Sequence, residues 1–248
     1  MSDIDPILNK YLTTTSTRKS MVLIYGPPIT GKTTGARTFP NPYIVDFDNN
    51  LPPGTPNVIP MWDEVFVDKV RPRMAKEVAN RRDVLLVILS DISSKLPANS
   101  TIVVDSLTRV ETTYNIQEKY EPQPRGKSGE LDGHAQFRAR LNYFDTLFTM
   151  LVSCPANVVF IAHQQQDRNP AGDVTGQIKP ALMGQIGEKM PGYFPIVMQA
   201  CRNKDAKVPG KINYEWRVRP GNFEPARIPK PAAVDFIPQD YKELEKYL

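Results

Sequence analysis

The chain has 248 residues, 40% of them hydrophobic and 23% charged, which suits one large globular domain or two small ones and excludes a disordered or fibrous polypeptide. No apolar run approaches the roughly 20 residues that a membrane-spanning helix needs, and Cys154 and Cys201 are too few for a disulfide framework. The formal charge of +4 is modest, but residues 202 to 230 hold eight basic side chains against Asp205, Glu215 and Glu224, so attraction to polyanions is expected there, with a solvated basic face as the alternative.

Residues 1 to 20 form a polar arm containing the run Thr13-Thr14-Thr15-Ser16-Thr17. At most a short helix around Ile7, Leu8, Tyr11 and Leu12 is expected, docked loosely or against a neighbouring copy. Nothing in Met1-Ser2-Asp3-Ile4-Asp5 reads as an export signal, so a cytoplasmic location is expected. From Met21 onward short β-rich runs alternate with helical stretches, the pattern of an α/β fold with a parallel sheet. Strands are predicted over 21–25, 43–47, 57–62, 101–105, 157–162, 193–200 and 212–219. Helices are predicted over 31–38, 73–96, 106–119 and 134–153. With no repeat and no linker, residues 21–225 read as one core and 226–248 as a C-terminal tail.

The run Met21-Val22-Leu23-Ile24-Tyr25 leads into Gly26-Pro27-Pro28-Ile29-Thr30-Gly31-Lys32-Thr33-Thr34, a match to GxxxxGK[ST] between a strand and a helix. Two glycines let such a loop wrap closely round phosphate, with backbone N–H groups aimed at the anion. Pro27 and Pro28 have no N–H, which leaves Ile29, Thr30, Gly31, Lys32 and Thr33 as donors. Lys32 is expected to reach the β/γ-phosphates, and the Thr33 hydroxyl to join the shell of a Mg2+ ion. Ile29 is the odd member, because a β-branched side chain resists the backbone angles such loops need.

Further along, Thr101-Ile102-Val103-Val104-Asp105-Ser106 is an apolar run ending in a carboxylate. Ligands gather at the carboxyl ends of strands in an open parallel sheet, so Asp105 is a candidate to hold a Mg2+ water beside Thr33. Its alternative role is the N-cap of the next helix. Tyr43-Ile44-Val45-Asp46-Phe47-Asp48 supplies two more carboxylates, either of which is a candidate to orient an attacking water. His163 and Gln164 end the run Val158-Val159-Phe160-Ile161-Ala162, where a polar side chain can sense a γ-phosphate. The alternative for His163 is a satisfied imidazole at a strand end.

In their order, GPPITGKTT, YIVDFD, TIVVDS and VVFIAHQ resemble the motifs of the RecA-like ATPases, above all the compact phage members of the Sak type, grouped among phage nucleotide-binding AAA proteins. The resemblance runs from about residue 21 to about residue 219. It implies a RecA-like P-loop NTPase core with a mostly parallel central sheet flanked by helices and antiparallel C-terminal strands. It also implies ATP and Mg2+ as cofactors, DNA-dependent ATP hydrolysis, single-stranded DNA as a partner, a role in recombination or strand annealing, and assembly of identical copies into a ring or filament.

Position by position, the resemblance makes Lys32 and Thr33 the phosphate and Mg2+ ligands and Asp105 the second acidic motif. Asp48 falls at the catalytic glutamate, in an Asp-Phe-Asp where the family commonly shows Asp-x-Glu, so weak or altered hydrolysis is expected from a carboxylate one methylene shorter. Gln164 matches the glutamine that links nucleotide to a DNA-facing loop, with His163 before it. Residues 121–133 and 165–185 match the two DNA-facing loops and bring Arg125, Lys127, Arg168 and Lys179 as candidate contacts. Arg202 and Lys204 of the basic stretch join them, with Tyr214, Trp216 and Phe223 read either as stacking faces or as core residues. Arg217 and Arg219 fall near the finger that reaches a neighbour's ATP. Two other functions suit the phosphate loop: a small-molecule kinase with the long loops as lid and acceptor pocket, and a regulatory module that binds nucleotide with little turnover.

Overall fold

The computed structural model describes residues 20–63, 66–67, 81–97, 99–118, 125, 132–152, 154–171, 174–205, 207–221 and 224–248. The six apolar residues of β1 (Met21–Gly26) are all buried, because β1 lies at the centre of the sheet with both faces covered. Its side chains alternate between two cores. Leu23 and Tyr25 enter one with Val104, Phe148 and Phe160, while Val22 and Ile24 enter the other with Ala36, Met198 and Trp216.

The chain then forms α1 (Lys32–Ala36), β2 (Pro42–Asp46), β3 (Val58–Pro60), α2 (Arg81–Lys95), β4 (Thr101–Asp105), α3 (Leu107–Glu118) and α4 (Gly133–Val152). It continues through β5 (Asn157–Arg168), β6 (Val174–Pro180), α5 (Gly184–Tyr193), β7 (Ile196–Lys204), β8 (Ile212–Arg217), β9 (Phe236–Pro238) and α6 (Tyr241–Glu245). The sheet order is β3-β2-β4-β5-β1-β7-β8-β9, with β6 paired to β5 off that path. From β3 to β7 every neighbouring pair is parallel, and β8 and β9 add antiparallel edges, as the sequence led one to expect.

Three differences from the predicted elements bear on function. The expected loop 165–185 is largely ordered: β5 continues to Arg168 and β6 returns antiparallel to it, beyond the end of β1. The strand predicted over 193–200 starts at Ile196, because α5 occupies the preceding residues through Tyr193, and it runs on to Lys204. The segment 226–248 contributes β9 and α6, and their Ile237 and Leu244 enter the core beside Trp216. Of the helix predicted over 73–96, residues 81–95 form α2, and 73–80 lie outside the described residues. Among the described residues no helix is long and apolar enough to cross a membrane.

Candidate active site

The phosphate loop leaves the carboxyl end of β1 at Gly26, where an added Cβ would stand 2.6 Å from the carbonyl oxygen of Ala200 on β7. Two residues of the loop take left-handed backbone angles, Ile29 at φ 63° and Gly31 at φ 81°. For the glycine this conformation carries no steric penalty, but for a β-branched residue it costs about 1–2 kcal/mol. Ile29 thus occupies the unfavourable backbone that its residue type resists, with its side chain 77% exposed. Lys32 folds back against the loop and donates from Nζ to the Pro27 carbonyl at 2.6 Å. Burial lowers the amine below the ordinary lysine value, and the charges of Asp105 and Asp48 oppose that drop.

The parallel register pairs Asp46 with Asp105, so β2 and β4 deliver two carboxylates side by side at the edge of the sheet where the loop emerges. The Thr33 hydroxyl donates to Asp105 Oδ2 at 2.6 Å, joining the first turn of α1 to the end of β4. Asp105 is 1% exposed. Its carboxyl is pushed up to about 6, first by burial and then by the charges of Asp48 and Asp46, against the Thr33 hydrogen bond and the Lys32 charge.

Asp46 has a different task. Its Oδ1 accepts from the backbone N–H of Asp48 at 3.0 Å and of Asn49 at 3.1 Å, a turn that holds Asp48 beyond the end of β2. Burial raises the Asp46 carboxyl, and those same backbone donors counter it. Asp48 Oδ2 is buried and makes no hydrogen bond of ordinary length, with His163 Nε2 standing 3.6 Å away. Burial alone would raise the Asp48 carboxyl, but the nearby side chains of His163 and Ser106 and the charge of Arg109 outweigh it and hold the group below the usual carboxylate value.

This set fits a Mg2+–nucleotide. Mg2+ is bound through one or two carboxylates, hydroxyls, waters and the substrate's own phosphates, so no closed cage of protein ligands is needed, and none of three or more His, Cys, Asp or Glu side chains exists among the described residues. A buried carboxylate held at the expense of its neighbours, as Asp105 is, gains most from a cation. Thr33 and Asp105 would hold the ion, which supplies charge neutralisation at the phosphates.

Gln164 stands at the same edge, on β5. Its Oε1 accepts from Gln199 Nε2 at 3.0 Å, and Gln199 Oε1 accepts from Arg217 Nε at 3.2 Å. The three side chains bridge β5, β7 and β8 across the point where β1 ends. Arg217 is also stacked over the Phe236 ring, 4.6 Å from its centroid, so in this arrangement it is tied within its own chain. Arg219 lies 3.5 Å from Asp235 on the exposed side.

Of the candidate DNA contacts, Arg202 and Lys204 are exposed on the part of β7 that extends past β1, and Arg202 is the cross-strand partner of Tyr214. Lys179 lies 4.0 Å from Glu188, and Arg125 is exposed. Lys127 and Phe223 lie outside the described residues, as does the side chain of Arg168. Trp216 is fully buried and therefore serves the core.

Two site residues escaped the sequence reading. Gln199 carried a signal, a lone amide inside the apolar run of β7. Gln239 carried none. Its Nε2 donates to the Thr30 carbonyl at 2.8 Å and to the Glu215 carbonyl at 3.1 Å, so a residue beyond β9 clasps the phosphate loop.

A family model described as an AAA domain matches residues 18–221. No curated protein matches this chain. Among solved structures, the chain is similar to a RadB recombinase at 13% identity, with 80% of this chain and 87% of that one covered and a TM-score of 0.38. It is also similar to an ATPase from the type III secretion system of pathogenic bacteria at 10% identity, with 73% of this chain and 51% of that one covered and a TM-score of 0.40.

Proposed function

The chain belongs to the AAA domain family, and from that premise we propose that it binds and hydrolyses Mg2+–ATP in response to single-stranded DNA, as a phage-type recombination or annealing protein of the Sak kind that works as a homo-oligomer. The observation that carries the nucleotide part is the 2.6 Å contact between Thr33 and Asp105, which couples the phosphate loop to a buried carboxylate two strands away. In this reading Lys32 neutralises the β/γ-phosphates, Thr33 and Asp105 hold the ion, and Asp48 orients the attacking water. Gln164 and His163 sense the γ-phosphate, and Arg217 or Arg219 serves a neighbouring copy once freed from its present partners.

The DNA part is supported by the exposed Arg202 and Lys204 beside Tyr214, a basic strip with an aromatic face of the sort that holds single strands. Arg125, Lys127, Arg168 and Lys179 are further candidates. Phosphate release measured with and without single-stranded DNA, alongside solution mass, tests the proposal. DNA stimulation at low salt that fades as salt rises is the expected result. A rate indifferent to DNA, with no oligonucleotide bound at low salt, removes the DNA part and leaves an ATPase.

A second reading, a nucleotide-binding module with little turnover, is favoured by one observation. Asp48 is held below the usual carboxylate value, so it takes a proton from the attacking water poorly, which slows turnover without weakening nucleotide binding.

A further inference from the structure

We infer that the groove across the amino ends of β1 and β7, at the opposite end of the sheet from the phosphate loop, seats the chain's own first residues, with Ile4, Ile7, Leu8, Tyr11 and Leu12 laid into it as the apolar stripe of a short helix. Residues 1–19 lie outside the described residues, and Ser20, which follows them, lines the groove.

The groove measures about 860 Å3. Met21 and Ile196 bring the first residues of β1 and β7 to it, Val152 and Tyr193 the last residues of α4 and α5, and Pro229 and Leu248 the C-terminal segment. Val152 is 63% exposed and Tyr193 45% exposed, so apolar surface at the helix ends is left in water although the neighbouring Leu151 and Phe194 are buried. The polar side chains are largely engaged. The Tyr193 hydroxyl donates to Asp145 Oδ1 at 2.6 Å, and Arg227 donates from Nε and Nη2 to the carbonyls of Pro191, Gly192 and Phe194. Arg227 Nη1 and the Ser20 hydroxyl remain. Such a groove suits an apolar stripe with a carboxylate at its margin.

The first residues have that form. Ile4, Ile7, Leu8, Tyr11 and Leu12 recur at i, i+3, i+4, i+7 and i+8, the spacing of one helix face. Asp5-Pro6 supplies an N-cap acceptor and the proline favoured at the first helical position. Asp3 and Asp5 set carboxylates at the start of the stripe, where Arg227 can meet one of them. A helix this short does not hold in water by itself and needs a surface on which to bury its stripe. The polar, β-branched run Thr13-Thr14-Thr15-Ser16-Thr17 breaks the pattern, which makes residues 13–19 a tether of about 25 Å at full extension. Because the tether ends at Ser20, beside the groove, it is long enough to turn the stripe back onto it. A tether of this length holds the stripe at an effective concentration on the order of mM, so at micromolar protein each chain fills its own groove before that of another copy.

Hydrogen exchange of the full chain, read by mass spectrometry, tests this. The amides of residues 7–12 should exchange at least about tenfold more slowly than in a free peptide of residues 1–19. Leu8→Asp in the stripe, and Val152→Asp or Pro229→Asp in the groove, should each return them to within about twofold of the peptide. Val152 and Pro229 are both exposed, so these substitutions leave the core intact. Exchange in the parent as fast as in the peptide, or protection kept in both groove variants, overturns the inference. With Leu12→Cys and Val152→Cys in one chain, a flexible bis-maleimide should join the two positions within that chain, leaving the mass of one chain on a denaturing gel. A link between two chains assigns the groove to a neighbour's first residues, and that result, like the absence of any link between the two positions, overturns the inference as well.

Discussion

The two flanks of the phosphate loop are built differently. On the side of β5, β4 and β2, the groups that matter sit at strand ends and are taken out of water: Asp105 is 1% exposed and Asp46 2% exposed, and burial shifts both carboxyls upward. On the side of β7, β8 and β9, Tyr214 is half-exposed, Arg202 and Lys204 reach solvent, and Gln239 holds the loop through neutral hydrogen bonds. Low dielectric strengthens charge–charge effects on the first flank, and open aromatic surface favours recognition on the second. If the proposed function holds, chemistry and grip are divided between the two flanks of β1, and substitutions on them should separate turnover from affinity.

The largest effect tests the pivot between them. Lys32→Ala should cut ATP hydrolysis by on the order of 1,000-fold, because in the proposed function the lysine is the cation that meets the triphosphate in the loop. A phosphate-release rate within about tenfold of the parent would show that the loop does not carry the chemistry. On the acidic flank, Asp48→Ala should lower turnover by about 100-fold while leaving the affinity for ATP nearly unchanged, the signature of a group used in the transition state and not in binding. Unchanged turnover in Asp48→Ala would favour the low-turnover module.

The same division explains what the sequence disclosed. The acidic flank was legible because each of its residues is local: Asp105 ends its own apolar run, Gln164 follows another, and Lys32 and Thr33 lie within one nine-residue motif. A parallel sheet then brings such strand ends together without further instruction, as the pairing of Asp46 with Asp105 shows. The other flank depends on contacts that no local pattern encodes. Gln239 meets Thr30 across 209 residues, and β9, with only three residues, has too short a pattern to announce a strand. Gln199 is a lone amide in an apolar run that went unread, and its partners Gln164 and Arg217 become neighbours only where β1 stops. The extension of β5 to Arg168 was missed because Gln164-Gln165-Gln166-Asp167-Arg168 is polar, as suits a ribbon that continues past the core.

Asp105 makes the electrostatic side of the comparison measurable. Burial pushes its carboxyl up to about 6 from the ordinary aspartate value of 3.8, so the folded state holds the proton more tightly than the unfolded one. Folding is therefore penalised above pH 6, and the penalty disappears as pH falls toward 4. A shift of that size corresponds to about 3 kcal/mol at most. Asp105→Asn removes the charge but weakens the bond from Thr33, leaving a gain of about 2 kcal/mol at pH 8 and none near pH 4. Thermal unfolding of the nucleotide-free, Mg2+-free protein at the two pH values checks this, with loss of hydrolysis expected in the same variant. Equal destabilisation at both pH values would mean that the carboxylate is not strained by its burial.

Gln239→Ala should give the smallest effect and the one most diagnostic of the second flank. The substitution removes donors from the Thr30 and Glu215 carbonyls together, but both bonds are only part-buried and water can replace them. The expected loss is therefore about 1–2 kcal/mol, seen as a melting temperature lower by a few degrees. Its functional mark is different from that of Asp48→Ala: loosening the loop from the C-terminal segment should raise KM for ATP several-fold with kcat close to the parent, since no group near Asp105 is touched. Gln239→Glu sharpens the test, because a carboxylate cannot donate to either carbonyl and sets a negative charge beside the path of the phosphates, so KM should rise further than in the alanine variant. If kcat fell with KM unchanged, the C-terminal clasp would belong to the chemistry, and the division between the two edges of β1 would not hold.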